Sequence, residues 1–240
     1  MASILIIEDD IVDLMAIKRS LVPLNNDHNF SYASSLQEAH KIMANSSFDL
    51  IFTDYNLGDG IATEISDTSS PIVLMTGMVE MPNPDIAGQF EKILVKDIKH
   101  SHLTQIVTTI QYHFEGNVNP GTISAQTSTP LQQLSVSFGS DKSFLKDMLL
   151  ELKTQLQSAL IQLNQTNLAV SDPILLDTIH KVKSQFLLGG FSEGAKVSEN
   201  LEQAIRKNEA TEEQIQSLIA STQNRLKKAI KTIEVKLEEL

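Results

Sequence analysis

The chain of 240 residues contains no cysteine. Disulfides and thiolate metal sites are therefore excluded, which suits a reducing compartment. Long hydrophobic runs are missing as well. None approaches the roughly 18 apolar residues that a membrane span needs. The N-terminus has no basic segment, and its apolar run is only Ile4 to Ile7, so no secretory signal is expected. The chain reads as cytoplasmic, with no membrane partner. A basic excess is also missing. Net charge is -11 and uneven: residues 1–115 hold 16 acids against 6 Lys and Arg, the remainder 14 against 13. The acidic first half disfavours binding to a phosphate backbone. No recognition-helix pattern of clustered Arg and Lys is visible, so nucleic acid is not an expected partner. What remains is the composition of a soluble globular protein, 41% hydrophobic and 20% charged, long enough for one large domain or two small ones.

The first half alternates. Apolar runs SILIIEDD, FDLIFTD, PIVLMTG and EKILVKD are separated by helix-like stretches such as IVDLMAIKRSLV and SLQEAHKIMA. Short buried strands alternating with helices predict a parallel sheet covered on both faces. A weaker strand over Phe30 to Ala33 makes five, and a last helix falls near Ser101 to Phe114. Residues 116–130 follow, rich in Gly, Pro, Ser, Thr and Asn and almost without charge, which is a linker by composition. A flexible linker of that length spans about 20 Å.

After it the strands stop. Phe144, Met148, Leu152, Leu156, Leu160 and Leu163 are spaced as on a helix. Asp172 followed by Pro173 predicts an N-cap and first turn of a helix running to about Gly189. Ser192 is placed to cap the next helix, ending near Asn208. Thr211 with Gln214 fits a capping box for the last. These are the proportions of an antiparallel helical bundle. The charged end, IKTIEVKLEEL, is expected to protrude.

The four clear strands share one property: each is apolar and each ends in a polar group. The first delivers Glu8, Asp9 and Asp10, the second Asp54, the next Thr76 and the last Lys96. In an open parallel sheet these ends lie along one edge, where ligands bind. Clustered carboxylates repel unless a cation neutralises them, and oxygen-only ligands favour Mg²⁺. Mg²⁺ and an ammonium together would stabilise a phosphoryl group in transfer. A carboxylate can itself attack phosphorus and hold an aspartyl phosphate, and the Thr76 hydroxyl could donate to it.

On ILIIEDD, FDLIFTDYNLGDG, PIVLMTG and ILVKD, residues 1–115 resemble the receiver domain of two-component response regulators along its full length. The resemblance implies a doubly wound, five-stranded, flavodoxin-like parallel sheet. It implies Asp54 as the phosphoacceptor. Glu8 and Asp9 become the acid pair holding Mg²⁺, with Asp9 favoured as the direct ligand, and Asn56 supplies a backbone carbonyl. Thr76 and Lys96 become the phosphate-sensing hydroxyl and the phosphate-binding lysine. There are departures. Asp97 stands where most receivers have a proline, Ile93 where an aromatic residue often lies, and the loop after Asp54 is short and lacks its usual proline. Two prolines in GMVEMPNPDIAGQF predict a short helix before the last strand.

In the second half, HKVKSQFLLGG places a histidine and two lysines beside an apolar stripe of Leu175, Ile179, Val182 and Phe186. His180 lies on the flank of that stripe, with Lys183 and Ser184 one turn on. There an imidazole can be both exposed and pinned. Lys183 would favour the neutral ring and then bind an incoming phosphate. Gly189 and Gly190 either let a neighbouring helix pack closely or end this helix. By itself the pattern fits an ordinary solvated histidine. The segment is similar, however, to the H-x-x-K-G-x-x-x-x-x-G signature of histidine-containing phosphotransfer (HPt) domains, with Ser184 in place of the first glycine. FGSDKSFLKDMLLEL and LEQAIRKN resemble other helices of those domains, over about residues 131–210. The resemblance implies a four-helix bundle, His180 as a phosphotransfer histidine, Lys183 steadying its phosphate, and a partner docking over Ser184, Leu187 and Leu188. His28, His40, His100, His102 and His113 lack such a setting and read as surface residues.

The expected organisation is a receiver over 1–115, a linker over 116–130 and an HPt-like bundle over 131–240 with an extended last helix. The implied function is a phosphorelay protein rather than a turnover enzyme. Its implied partners are a histidine kinase or phosphorylated HPt protein, and a separate response regulator receiver. The alternative is a binding switch in which the receiver controls the helical half and His180 does no chemistry. A phosphohydrolase would need an acid two residues beyond Asp54, where Asn56 stands. A self-contained kinase lacks its glycine-rich ATP segment.

Overall fold

The computed structural model describes residues 1–65, 68–77, 84–96, 101–115, 131, 134–135, 138, 141–165, 173–207 and 210–240. The chain forms two compact units, Met1–Ser124 and Ala125–Leu240. The expected linker lies outside the described residues, as do Asp97 and Asp172.

The first unit is a five-stranded parallel sheet. Its strands are β1 (Ala2–Ile7), β2 (His28–Ala33), β3 (Leu50–Asp54), β4 (Ile72–Thr76) and β5 (Lys92–Val95), in the order β2-β1-β3-β4-β5. That is the flavodoxin-like order, with a topological switch between β1 and β3. The helices are α1 (Ile11–Leu21), α2 (Leu36–Met43), α3 (Pro84–Ala87) and α4 (Ser101–Glu115). Leu5 and Ile7 of β1 pack with Ala33, Leu36, Ala39 and Ile51 on the α2 face. Ile4 and Ile6 alternate to the other face and are equally buried. A strand buried on both sides has no polar position except its ends. That is why the sequence reads as apolar runs closed by acids.

β2 starts two residues earlier than predicted, and α3 is a single turn opened by Pro84. The connection from β3 to β4 differs from a regular crossover. Among its described residues it holds only a 3₁₀ turn, Ala62–Glu64. The turn after Asp54 uses Gly58 in the left-handed region, φ 66°. It then sends Asp59 to accept the N–H groups of Leu36 and Gln37 at 2.8 and 2.9 Å. The loop is thereby tied to the start of α2.

The second unit is a bundle of α5 (Lys142–Leu163), α6 (Pro173–Leu188), α7 (Ser192–Lys207) and α8 (Glu212–Glu238). Each helix packs on the next, and α5 packs on α8, closing the ring. The predicted stripe of α6 is fully buried. Gly190, φ 71°, ends α6, and Phe191 N–H returns to the Phe186 carbonyl at 2.8 Å. The helix after it begins at Ser192 itself, so Ser192 is its first residue rather than its cap. Gly194 lies so close to α6 that a Cβ there would meet the Phe186 ring at 2.8 Å. The capping box at Thr211 and Gln214 forms. In the last helix Ile230 and Ile233 are buried, and no residue beyond Ile233 is. Among the described residues no helix is long and apolar enough to cross a membrane.

Candidate functional site

The carboxyl ends of β1, β3, β4 and β5 meet at one edge. Register pairs Ile7 with Thr53, so the next residues, Glu8 and Asp54, emerge side by side. Oxygens of Glu8, Asp9 and Asp54 lie within 4.8 Å of one another. Lys96, just beyond β5, crosses the edge: its Nζ donates to Glu8 Oε2 at 2.7 Å, Asp13 Oδ2 at 2.8 Å and Asp54 Oδ2 at 3.0 Å. Asp54 Oδ1 accepts Tyr55 N–H at 2.6 Å. Thr76 closes β4 and is buried, and its carbonyl accepts Lys96 N–H at 2.8 Å. Asn56 sits two residues past Asp54, in a bridge to Ile61 that shapes the turn.

The charges are strained against one another. Burial pushes the Glu8 carboxyl well above the usual carboxylate range; Lys96 pulls it down, and Asp54 and Asp13 push it up again. Burial, and then the charge of Asp13, raises Asp10 to about 6. For Lys96, burial favours the neutral amine, but Asp13, Asp54 and Glu8 outweigh it and hold the ammonium above its ordinary range. An all-oxygen cluster with more negative than positive charge fits a hard divalent cation. Glu8, Asp9 and Asp54 are the side chains that would hold Mg²⁺.

Two further acids shape this edge, Asp10, which the sequence places at the end of the first strand, and Asp13, which it does not single out. Asp10 is the N-cap of α1, accepting the N–H groups of Val12 and Asp13 at 2.8 and 3.2 Å; an Asp followed three residues later by a second acid is a helix-start pattern. Asp13, one turn into α1 from Asp9, is a direct partner of Lys96. Helical spacing from Asp9 was the available signal.

His180 forms a separate cluster. Its Nδ1 lies 3.1 Å from Glu202 Oε1, and Lys183 Nζ lies 2.7 Å from Glu202 Oε2. Arg206 Nη2 adds a contact to Oε1 at 3.0 Å. The close approach of α7 to α6 at Gly194 sets this register, since Glu202 follows Gly194 by about two turns. Burial raises the Glu202 carboxyl, but the His180 hydrogen bond and the Lys183 charge outweigh it, so the group sits far below the ordinary range. An ionised carboxylate only accepts, so His180 Nδ1 is the donor of this hydrogen bond. Glu202, 22 residues along the chain, was not legible as a partner.

The ring is pinned as expected but not exposed. His180 is 7% exposed, Lys183 2% and Ser184 4%, and Leu188 is also buried. The expected docking surface over Ser184, Leu187 and Leu188 is therefore mostly covered. Of the other histidines, His28 and His102 are buried rather than superficial.

Sheet order and acidic edge define an open flavodoxin-like α/β domain with a polar crevice at its switch point, followed by a helical bundle. Solved structures similar to the chain include three response regulators. One is the phosphorylated cyanobacterial phytochrome response regulator RcpA, at 23% identity and TM-score 0.41, covering 49% of this chain and 96% of that one. A two-component response regulator from Clostridium difficile has 23% identity and TM-score 0.42, covering 48% and 97%. The Thermotoga maritima response regulator TrrA, in complex with Mg²⁺ and BeF, has 19% identity and TM-score 0.37, covering 46% and 99%. No protein-family model matches the chain, and no curated protein does.

Proposed function

We propose that the chain is a phosphorelay signalling protein in which Asp54 accepts a phosphoryl group from a phosphohistidine and His180 is a second, phosphotransfer acceptor. The observation that carries the first half of this reading is the convergence on one sheet edge of Asp54, two further carboxylates within 4.8 Å and Lys96 at 3.0 Å. An Asp54 oxygen attacks phosphorus as the donor's P–N bond breaks. The bonding pair returns to the donor imidazole, which takes up a proton. Lys96 offsets the charge on the phosphoryl oxygens, and Thr76 donates its hydroxyl to one of them. A Mg²⁺ held by Glu8, Asp9 and Asp54 with the Asn56 carbonyl would add electrostatic neutralisation of the same oxygens. The donor is a histidine kinase or a phosphorylated HPt protein.

At His180 the Nε2 lone pair attacks the phosphorus of an aspartyl phosphate on a separate receiver. The O–P bond breaks and its electrons stay on the departing carboxylate. Glu202 keeps the ring proton on Nδ1, and Lys183 is placed to steady the phosphate. The domain boundaries that go with this reading are a receiver over 1–115, a linker over 116–130 and an HPt-like bundle over 131–240.

One observation favours a second reading. His180 is 7% exposed, so a partner aspartate reaches it only after its cover moves. In the switch reading His180, Lys183 and Glu202 are a buried structural pin, and phosphorylation of Asp54 alone controls the helical half. The test of the first acceptor is direct. Purified protein with Mg²⁺ and a small-molecule phosphodonor should take acid-stable, base-labile label at Asp54. Asp54→Ala should lose it entirely, and Lys96→Ala should retain Mg²⁺ binding while weakening the phosphorylated state. Labelling of Asp54→Ala at the wild-type rate would overturn the assignment.

A further inference from the structure

The Lys96 ammonium has three N–H donors, and three buried carboxylates take them: Glu8, Asp13 and Asp54. Two of these have other roles in the reaction proposed above. Asp54 is the nucleophile, and Glu8 belongs to the oxygen cluster suited to a metal ion. Asp13 stands outside that cluster. It sits in the first turn of α1, where Asp10 Oδ1 holds its N–H at 3.2 Å, and it is 3% exposed.

We propose that Asp13 is a positioning residue that holds Lys96 Nζ at the acceptor while Glu8 and Asp54 change partners. The inference rests on the reading of Asp54 as phosphoacceptor. When an Asp54 oxygen becomes bonded to phosphorus, the donor that Lys96 gave to Asp54 passes to a phosphoryl oxygen. When Glu8 turns toward a cation, a second donor is released. The bond to Asp13 at 2.8 Å is the one that neither event consumes. Without it the ammonium is drawn onto Glu8 and Asp54, where it competes with the cation and covers the nucleophile. A helix end and a strand end thus fix the two members of the pair, and the phosphoryl group meets an ammonium already in place.

The probe is trifluoroberyllate with Mg²⁺, added to the full chain, with helix content followed by circular dichroism. Asp13→Ala should weaken trifluoroberyllate binding about tenfold or more, the worth of one charge-assisted hydrogen bond, while Mg²⁺ affinity changes little. Asp13→Asn, which keeps the shape and an acceptor oxygen, should fall between and serves if Asp13→Ala does not fold. The ¹⁵N signal of the Lys96 ammonium, slow to exchange while carboxylates hold it, should persist in the wild-type complex and vanish in Asp13→Ala. A purely structural role for Asp13 would lower stability without moving that signal selectively. Unchanged trifluoroberyllate affinity with an intact Lys96 signal overturns the inference. If the wild type binds no trifluoroberyllate, the reading of Asp54 falls and this inference falls with it. If the wild type binds, Asp54→Ala does not and Asp13→Ala binds normally, only the role of Asp13 is lost.

Discussion

The two units carry ion clusters of opposite construction. In the first, one ammonium, Lys96, stands among the carboxylates of Glu8, Asp13 and Asp54. In the second, one carboxylate, Glu202, stands among an imidazole, an ammonium and a guanidinium, from His180, Lys183 and Arg206. The first has surplus negative charge and suits a divalent cation. The second has donors in excess and suits an anion such as a phosphoryl group. Both central residues are buried, Arg206 alone among their partners reaching solvent, and in each cluster loss of the central residue leaves buried partners uncompensated. The contrast is chemical as well as electrostatic. A carboxylate oxygen of Asp54 sits in the acidic cluster, and an imidazole nitrogen of His180 sits in the basic one.

The strongest way to break the contrast is to remove a centre. Glu202→Ala strands the buried Lys183 ammonium and should cost the helical unit about 3–5 kcal/mol. The three tyrosines, Tyr32, Tyr55 and Tyr112, all lie in the first unit. Urea unfolding followed at 222 nm should therefore shift while the tyrosine signal does not. Glu202→Gln removes the charge and keeps the shape, at a cost of about 2 kcal/mol. That cost depends on pH with a definite sign. Folding lowers the Glu202 carboxyl below its ordinary value, so its stabilisation is complete above about pH 4.5. It fades as pH falls through the lower folded value. The stability gap between wild type and Glu202→Gln should accordingly close below pH 4.5. A gap that widens there would refute the ion-pair account.

A cation sharpens the comparison from the other side. Mg²⁺ at tenfold over its Kd should stabilise the first unit by about 1.4 kcal/mol, seen in tyrosine fluorescence, and leave the helical unit unmoved. The smallest effect is a control that touches neither cluster. Thr211→Ala removes the capping box of α8 and should cost about 1 kcal/mol in the helical unit alone, without altering Mg²⁺ binding.

Much of the first unit was legible because its strands are buried on both faces, so polarity survives only at their ends. Glu8, Asp54, Thr76 and Lys96 were conspicuous for that reason. The α6 stripe was legible from its spacing, and Gly190 from its place after it. What stayed hidden depends on contacts between distant segments. Asp13 shows one helical turn of spacing but not the lysine 83 residues away. Glu202 reads as an ordinary surface acid four residues before Arg206 until α7 folds back over α6. The 3₁₀ turn after β3 and the tie from Asp59 to α2 were hidden for the same reason. Burial of His180 was equally hidden, because a flank position on one helix says nothing of what covers it.

The central claim is that the chain holds two phosphate acceptors of different chemistry. It is tested most directly by offering the purified protein a phosphorylated receiver and locating the label by mass spectrometry. Base-stable, acid-labile phosphate on His180, absent from His180→Ala and retained in Asp54→Ala, is the result this account predicts. Label on Asp54 with the small-molecule donor, but none on His180 with any of several phosphorylated receivers, would contradict it and leave Glu202, His180 and Lys183 as a structural pin.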